Sequence, residues 1–252
     1  MIKKISIIGS GNVATQFAFA FQKAHIQILQ IISRNKKSGK LLAQKTNSLF
    51  TSNLNEIITT DLIIICINDD DIIPIANKLP NIPMVHTSGS KCLNIFKNKL
   101  NGGVIYPLQT LSKDIDVDFK KIPICIEANN SDFEKKIFIL SKKISKNIHA
   151  INSEKRKNLH LSAVIASNFS NFCYLIAKKQ LETQNLNFEL LIPLILETAK
   201  KIIKTDPKIT QTGPAKRGDK KVIKEHLEIL KDDNYKKIYK LLSQNILNEY
   251  EK

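Results

Sequence analysis

The chain contains no tryptophan and only four cysteines among its 252 residues. The cysteines, Cys66, Cys92, Cys125 and Cys173, form no C-x-x-C pair and show no metal-ligand spacing. This pattern argues against a disulfide scaffold and against a common zinc-binding domain. We therefore expect reduced thiols, a cytoplasmic location and no bound metal.

The sequence also lacks a targeting pattern and a long apolar run. No positively charged n-region, apolar h-region or small-residue cleavage site precedes the first strand-like segment, so secretion is not expected. Residues 62–67 indicate a buried strand and residues 190–196 part of an amphipathic helix, and neither reaches the length of a membrane span. No membrane partner is expected.

Acidic residues are few: 23 Asp and Glu stand against 39 Lys and Arg, giving a formal net charge of +16. Such a charge can indicate nucleic-acid binding. Here lysine dominates and is spread along the chain with abundant Ile and Asn, which is typical of a compositional bias. No aromatic-rich basic groove, zinc finger or helix-turn-helix stands out, so no nucleic-acid partner is expected.

The most informative segment is residues 4–21, KISIIGSGNVATQFAFAF, in which an apolar run meets a glycine turn and an amphipathic stretch. The turn has the G-x-G-x-x-G/A spacing of dinucleotide-binding folds, with Ala14 in the last position. Gly9 allows a turn where a Cβ would clash, and Gly11 lets the backbone approach a diphosphate. We expect a helix N-terminus to hold the cofactor phosphates through Gly9, Ser10, Gly11, Asn12 and Val13.

The end of the second predicted strand, residues 26–33, indicates which dinucleotide is bound. NAD-binding folds place an Asp or Glu there to bind the ribose 2′-hydroxyl. This chain instead has Ser33, Arg34 and Asn35. A hydroxyl and a guanidinium suit a 2′-phosphate, which favours NADP(H). The alternative is an ordinary solvated turn.

The pattern along the chain predicts an α/β domain followed by an all-helical domain. Further strands are expected over residues 61–68, 82–87, 103–106, 122–127 and 147–151, and helical segments over residues 38–46, 54–58, 72–78 and 131–144. After Asn152 the strand signals stop, and helices are expected over residues 153–181, 188–205, 220–231 and 234–250. The expected domains are residues 1–151 and residues 152–252.

In open α/β sheets, ligands bind beyond the carboxyl ends of the strands. We therefore expect Cys66 and Asn68 to contact the cofactor together with Ser88. Ser88 is also expected to bind substrate with its neighbours at the next strand ends: His86, Gly89, Tyr106, Gln109 and Thr110. Ordinary turn chemistry is the alternative for Ser88, Gly89 and Pro107. Asp69, Asp70 and Asp71 are interpreted as helix-capping acids rather than as metal ligands.

Polar side chains also follow one side of the long predicted helix: His160, Ser167, Asn168 and Asn171. We expect His160 and Asn168 to be catalytic and Asn171 to bind substrate, with buried structural hydrogen bonds as the alternative. A histidine can donate a proton near neutral pH, and an amide can orient a carbonyl or imine. His86 is a second candidate acid.

The loop over residues 206–219 is rich in Gly, Pro and charge. It could place Lys216 and Arg217 against an anionic substrate. The alternative is a rigid connection between helices with solvated charges.

Four segments resemble a family of Rossmann-like proteins with a helical DUF2520 domain at the C-terminus. They are residues 9–14 (GSGNVA), 106–110 (YPLQT), 160–169 (HLSAVIASNF) and 212–219 (TGPAKRGD). The family is similar to pyrroline-5-carboxylate reductase, 6-phosphogluconate dehydrogenase and the F420-dependent NADP oxidoreductases. The chain departs from the hydroxyacid dehydrogenases, since Val164 stands where their Lys-x-x-x-Asn pair has lysine.

The resemblance implies a Rossmann domain and a helical domain like the C-terminal domain of 6-phosphogluconate dehydrogenase. It also implies dimerisation through the helical domain and a substrate cleft between the domains. We therefore expect an NADP(H)-dependent oxidoreductase that acts on a small carbonyl or imine. The alternatives are a non-catalytic NADP(H) sensor, an F420-linked oxidoreductase and a nucleic-acid binder.

Overall fold

A computed structural model describes residues 1–250 of the chain. It divides into two compact units, Met1–Ser167 and a second unit that begins at Asn168. The division falls inside the long helical region rather than at its start. The boundary expected between residues 151 and 152 stays a prediction.

The first unit is built on one eight-stranded sheet with the order β3-β2-β1-β4-β5-β6-β7-β8. All neighbouring strands are parallel except β6 and β7. This arrangement confirms the predicted Rossmann-type α/β fold. The strands are β1 (Lys4–Ile8), β2 (Gln27–Ile32), β3 (Leu49–Thr51), β4 (Leu62–Ile65), β5 (Met84–His86), β6 (Gly102–Pro107), β7 (Pro123–Ala128) and β8 (Asn147–Ala150).

The central strands are apolar on both faces because helices cover the sheet on both sides. Ile5 and Ile7 of β1 are fully buried, as is every residue of β4. One apolar cluster joins β1 to Phe17 and Phe133 of two covering helices. A second cluster joins β4 to Ile72 on another helix. Burial on both faces explains why these strands are continuous apolar runs in the sequence.

Five helices belong mainly to the first unit, and asparagine side chains cap three of them. Asn35, Asn130 and Asn152 each accept a hydrogen bond from the backbone N–H three residues later, which satisfies an otherwise unpaired donor. The helices are α1 (Asn12–Lys23), α2 (Lys36–Lys45), α3 (Asp69–Lys78), α4 (Ser131–Lys142) and α5 (Ser153–Ala163).

The second unit is helical, as predicted. A π-helical segment, Val164–Phe169, follows α5, so the single helix expected over residues 153–181 changes its hydrogen-bond pattern in the middle. A 3-10 turn, Phe188–Leu191, precedes α7. The helices are α6 (Ser170–Glu182), α7 (Ile192–Lys204), α8 (Pro207–Thr210), α9 (Lys220–Ile229) and α10 (Asp233–Tyr250).

The expectation that no segment reaches the length of a membrane span needs correction. The helical stretch Ser153–Glu182 has 30 residues and a window of hydropathy 1.2, so its length and composition would allow it to cross a membrane. A single helix of this kind is weak evidence, because core helices of globular proteins satisfy the same criterion. Charged residues at the start of this stretch break up the apolar run, so a long apolar helix was not expected there.

Candidate active site

The glycine turn after β1 is shaped by its two glycines in different ways. Gly9 has φ of +118°, and a Cβ there would lie 2.1 Å from the carbonyl oxygen of Cys66. Only glycine fits this conformation and this space. Gly11 has ordinary φ of −79° at the N-cap of α1, and a Cβ there would meet nothing within 4 Å. The space in front of Gly11 is therefore open at the positive end of the α1 dipole.

A cavity of about 630 Å³ begins at this turn and extends along the ends of β1, β2 and β4. At its β2 side, the hydroxyl oxygen of Ser10 lies 2.8 Å from that of Ser33 and 2.6 Å from that of Ser38. Three hydroxyls thus meet beside Arg34 and Asn35, which also line the cavity. Hydroxyl and guanidinium groups together are suited to bind a phosphate.

Arg34 is already engaged by an acid in this structure. Its Nη2 lies 2.5 Å from a carboxylate oxygen of Asp71 in α3, while most of its side chain is exposed. Asp71 lines the same cavity. An anion that binds Arg34 therefore competes with Asp71 or shares the guanidinium with it.

A second polar cluster lies at the ends of β5 and β6. The hydroxyl oxygen of Tyr106 lies 3.0 Å from Nδ1 of His160 in α5, and the two rings meet edge to face. A Cβ on Gly89 would lie 2.7 Å from that Nδ1 and 2.9 Å from Cζ of Tyr106. The three residues are therefore packed in direct contact. Tyr106 is buried, and burial raises its pKa to about 12, so its hydroxyl stays protonated.

His86 lies inside the core rather than on the surface of this cluster. It is 0% exposed and packs on Phe96, and its Nδ1 accepts a hydrogen bond from the backbone N–H of Ser88. Burial, followed by the charge of Arg156, lowers the pKa of His86 to about 3. His86 is therefore neutral at physiological pH, and half-buried His160 is the histidine of this region that a ligand can reach.

Two family models match different parts of the chain. Residues 4–86 match the family described as NADP oxidoreductase, coenzyme F420-dependent, and residues 122–246 match the domain of unknown function DUF2520. A crystal structure from Bacteroides fragilis, described as a candidate NADP oxidoreductase, is 38% identical, with 98% of each chain covered and a TM-score of 0.92. The chain belongs to this family of NADP-dependent oxidoreductases.

More distant structures share the fold of this oxidoreductase. A protein from Thermotoga maritima is 26% identical over 97% of this chain and 99% of its own, with a TM-score of 0.78. A reductive aminase from Aspergillus terreus, solved with NADPH and ethyl-5-oxohexanoate, is 12% identical over 99% of this chain and 95% of its own, with a TM-score of 0.74. No curated protein is significantly similar to the chain.

The cavity brings together most, though not all, of the residues expected to bind the cofactor of this oxidoreductase. Asn12, Val13 and Ser88 do not line it, and Val13 packs against the core instead. The backbone carbonyl of Cys66 lies beside Gly9. Burial raises the pKa of the Cys66 thiol to about 12, so the thiol stays neutral. The expected residues that line it are Gly9, Ser10, Gly11, Ser33, Arg34, Asn35, Cys66 and Asn68.

Several cavity residues of the oxidoreductase were not predicted from the sequence, and the polar ones include Ser38, Ser52, Lys78 and Lys113. Lys113 comes from the loop after β6, which Gln16 of α1 holds by donating hydrogen bonds to the carbonyl oxygens of Ser112 at 2.5 Å and Ile115 at 2.9 Å. No sequence signal identifies Lys113, because a partner about a hundred residues away positions its loop.

The acids that open α3 lie in its first turn, as expected, but no capping hydrogen bond from the helix backbone to their side chains is found among the described residues. The Asp69 carboxylate accepts a hydrogen bond from the hydroxyl of Ser90, and Asp70 lies 3.1 Å from Nζ of Lys91. They therefore hold the loop after β5 as well as favouring the helix N-terminus. Within residues 1–250, no group of three or more His, Cys, Asp or Glu side chains could hold a metal ion.

The other expected substrate residues lie apart from the Tyr106–His160 contact or in the second unit. Gln109 and Thr110 are exposed and hydrogen-bonded to each other. Asn168, Asn171 and Arg217 are exposed in the second unit. Nζ of Lys216 donates to the carbonyl oxygen of Gln211 at 2.7 Å and lies over the ring of Tyr250. The substrate roles of these residues stay predictions.

Arg156 is a further residue of the site region that the sequence did not reveal. It is 0% exposed and pairs with the carboxylate of Glu127 in β7. Its other terminal nitrogen donates to the carbonyl oxygen of Lys91 at 2.5 Å and to the hydroxyl of Ser153 at 3.2 Å. The side chain therefore connects α5 to β7 and to the loop after β5, one turn before His160.

Proposed function

We propose that this oxidoreductase transfers hydride between the nicotinamide of NADP(H) and a small carbonyl or imine. The observation that carries the proposal is the continuous cavity that joins the open N-terminus of α1 at Gly11 to the hydroxyls of Ser10, Ser33 and Ser38 and to Arg34. Its chemistry fits a diphosphate at one end and a 2′-phosphate at the other. The reductive aminase of similar fold that was solved with NADPH supports the same choice of cofactor.

The residues of the chain divide the work between binding and proton transfer. The α1 backbone amides bind the diphosphate, and the serine hydroxyls with Arg34 bind the 2′-phosphate. The bound nicotinamide supplies or accepts the hydride. His160 is the proposed proton donor to the reduced group, and Asn168 is the proposed residue that orients it. His86 has no part in proton donation because its ring is fully buried and a substrate cannot reach it.

The 2′-phosphate site predicts a preference between cofactors. We expect NADPH to bind about tenfold or more tightly than NADH, since a charge-assisted contact to Arg34 is available only to the phosphate. The Arg34→Ala variant should narrow this gap while leaving NADH affinity nearly unchanged. Calorimetric titration of both nucleotides measures the two affinities. Equal affinities in the unaltered protein would contradict the phosphate assignment.

The Arg34–Asp71 pair offers a matched variant for this test. Asp71→Asn removes the charge that competes for Arg34, so NADPH should bind about two- to fivefold more tightly, which is the modest scale of an exposed ion pair. NADH affinity should not change. A loss of NADPH affinity in this variant would show that Asp71 supports the site rather than competing within it.

The catalytic proposal is tested by turnover. Keto acids, aldehydes, ketones and imines are screened with NADPH, and the best substrate is then assayed with His160→Ala and Asn168→Ala. We expect each variant to lose about 100-fold or more in kcat, because His160→Ala removes the general acid and Asn168→Ala removes the group that orients the reacting bond. Unchanged NADPH affinity serves as the control for folding. Full activity in both variants would contradict the proposed catalytic roles of His160 and Asn168.

A second candidate function is an F420-linked reaction, because the family matched by residues 4–86 is described as coenzyme F420-dependent. An absorbance titration with the deazaflavin distinguishes it from direct reduction of a small substrate. A non-catalytic NADP(H) sensor would bind the nucleotide and show no turnover with any substrate class.

We also propose that the protein is a homodimer formed through the helical unit. In the single chain that unit exposes many large apolar side chains, which is typical of a surface covered by a partner. These side chains include Phe169, Phe172, Leu175, Leu190, Leu194, Leu196, Ile202, Ile203, Leu241 and Leu242. Light scattering distinguishes a monomer from a dimer. We further propose that Lys216 and Arg217 contact an anionic substrate. The free cysteines suggest a cytoplasmic location.

A further inference from the structure

The Tyr106–His160 contact determines which nitrogen of His160 carries its proton. Among residues 1–250, the Tyr106 hydroxyl has one hydrogen-bond partner, Nδ1 of His160 at 3.0 Å. A buried hydroxyl proton needs an acceptor, and the lone pair of Nδ1 is the acceptor that this contact provides. If Nδ1 carried the proton instead, the Tyr106 proton would have no partner. Tyr106 therefore donates, and the neutral His160 ring carries its hydrogen on Nε2.

The geometry leaves Nε2 free for a ligand. Nδ1 is occupied by Tyr106 and covered by Gly89, where even a Cβ would come within 2.7 Å. Nε2 has no hydrogen-bond partner in the part of the chain that the structure describes, and the ring is half-buried. His160 thus offers one N–H donor on the side of the ring away from Tyr106.

We infer that Tyr106 is a positioning residue that holds His160 as an N–H donor, and that this site therefore takes a carbonyl substrate in preference to an iminium ion. The inference rests on the proposed function and narrows its substrate class. A carbonyl oxygen accepts a hydrogen bond from Nε2–H. A protonated imine that bears an N–H places a second donor against the first, which is repulsive.

The reduction of a carbonyl balances with these two side chains. Hydride forms a C–H bond at the carbonyl carbon, the π electron pair moves to the oxygen, and that oxygen takes the proton of Nε2. Nδ1 takes the hydroxyl proton of Tyr106 in exchange, so the imidazole stays neutral. Nε2, the free side of the ring, then takes a proton from water, and Nδ1 returns its proton to the Tyr106 oxygen, which restores the starting state. Reduction of an iminium ion needs no such proton, because the product amine is already neutral.

The tautomer is measured directly by nitrogen NMR of ¹⁵N-histidine-labelled protein in mildly alkaline buffer, with the His160 signals assigned from a His160→Gln sample. The chain has five histidines. We expect a protonated Nε2 and an unprotonated Nδ1 for His160 in the unaltered protein. Tyr106→Phe should move both shifts toward a mixture of tautomers. Gly89→Ala should do the same from another element, because its Cβ displaces the ring.

The chain supplies a matched control in its helical unit. Nδ1 of His226 lies 2.7 Å from the hydroxyl oxygen of Tyr239, so Tyr239→Phe removes a tyrosine–histidine contact of the same kind at an exposed position. It should move the His226 shifts and leave those of His160 unchanged. A protonated Nδ1 on His160, or His160 shifts that do not respond to Tyr106→Phe, would overturn the inference whether or not the protein binds NADPH.

The substrate class is tested with matched pairs of a ketone and the imine of the same carbon skeleton. We expect kcat/KM with NADPH to be about tenfold or more higher for the ketone, and Tyr106→Phe to lower kcat for the ketone by about tenfold or more with little change in KM. Equal or faster imine reduction, or turnover of neither member, would contradict the carbonyl preference. Failure of NADPH to bind would instead contradict the proposed function.

Discussion

Replacing Arg156 by alanine is expected to destabilise the protein by about 3–5 kcal/mol, the cost of leaving one partner of a buried ion pair without its counterion. Glu127 would keep its carboxylate in a nearly enclosed place, with only the hydrogen bonds from Ser153 to satisfy it. The carbonyl oxygen of Lys91 would lose its donor as well. The thermal midpoint should fall by about 10 °C.

The control for Arg156 is an exposed ion pair in the same unit. Lys23 and Asp116 lie 3.2 Å apart on the surface, and Lys23→Ala should cost less than about 1 kcal/mol. The loss of stability in Arg156→Lys should lie between those of the other two variants. An ammonium group keeps the charge but cannot reproduce the several hydrogen bonds of the planar guanidinium. A loss under about 1 kcal/mol for Arg156→Ala would show that the pair does not hold α5 against the sheet.

The second large effect is expected at Gly9. Gly9→Ala places a Cβ 2.1 Å from the carbonyl oxygen of Cys66 at a φ of +118°, so the chain must strain or move the end of β4. We expect a loss of about 3 kcal/mol or more in the free energy of unfolding. Chemical denaturation followed by circular dichroism measures this loss, and NADPH binding should fall with it.

Gly11→Ala is the variant to compare with Gly9→Ala, because it separates nucleotide binding from stability. Its Cβ meets nothing within 4 Å, and its φ is accessible to any residue, so stability without nucleotide should change by less than about 1 kcal/mol. The added methyl group would nevertheless occupy the space proposed for the diphosphate. NADPH affinity should therefore fall about tenfold or more. Normal affinity in Gly11→Ala would mean that the phosphates bind elsewhere.

The parts of the fold that were predictable carry their signal locally. β1, the glycine turn and α1 lie within about twenty consecutive residues, and both the conformation of Gly9 and the open space at Gly11 agree with their residue types. β4 was predictable because burial on both faces demands a continuous apolar run. The edge strand β3 was missed because three residues, two of them not buried, give no periodicity.

The parts of the site that were not predictable depend on distant pairings. Tyr106 and His160 are 54 positions apart and meet because α5 follows β8. The sequence offered both as site residues, but it could not show that one sets the tautomer of the other. Arg156 stands among exposed residues in a lysine-rich stretch, and only the structure shows that it is the buried member. The opposite happened at His86. Its position at the end of β5 suggested that a ligand could reach it, but its side chain is fully buried.

The central claim is that a dinucleotide diphosphate binds the backbone amides at the start of α1. A crystal structure grown with saturating NADP⁺ tests it most directly. The account predicts diphosphate oxygens within hydrogen-bonding distance of the amides that follow Gly11, with the 2′-phosphate beside Ser33 and Arg34. A nucleotide bound elsewhere, or an empty turn at saturating nucleotide, would contradict it.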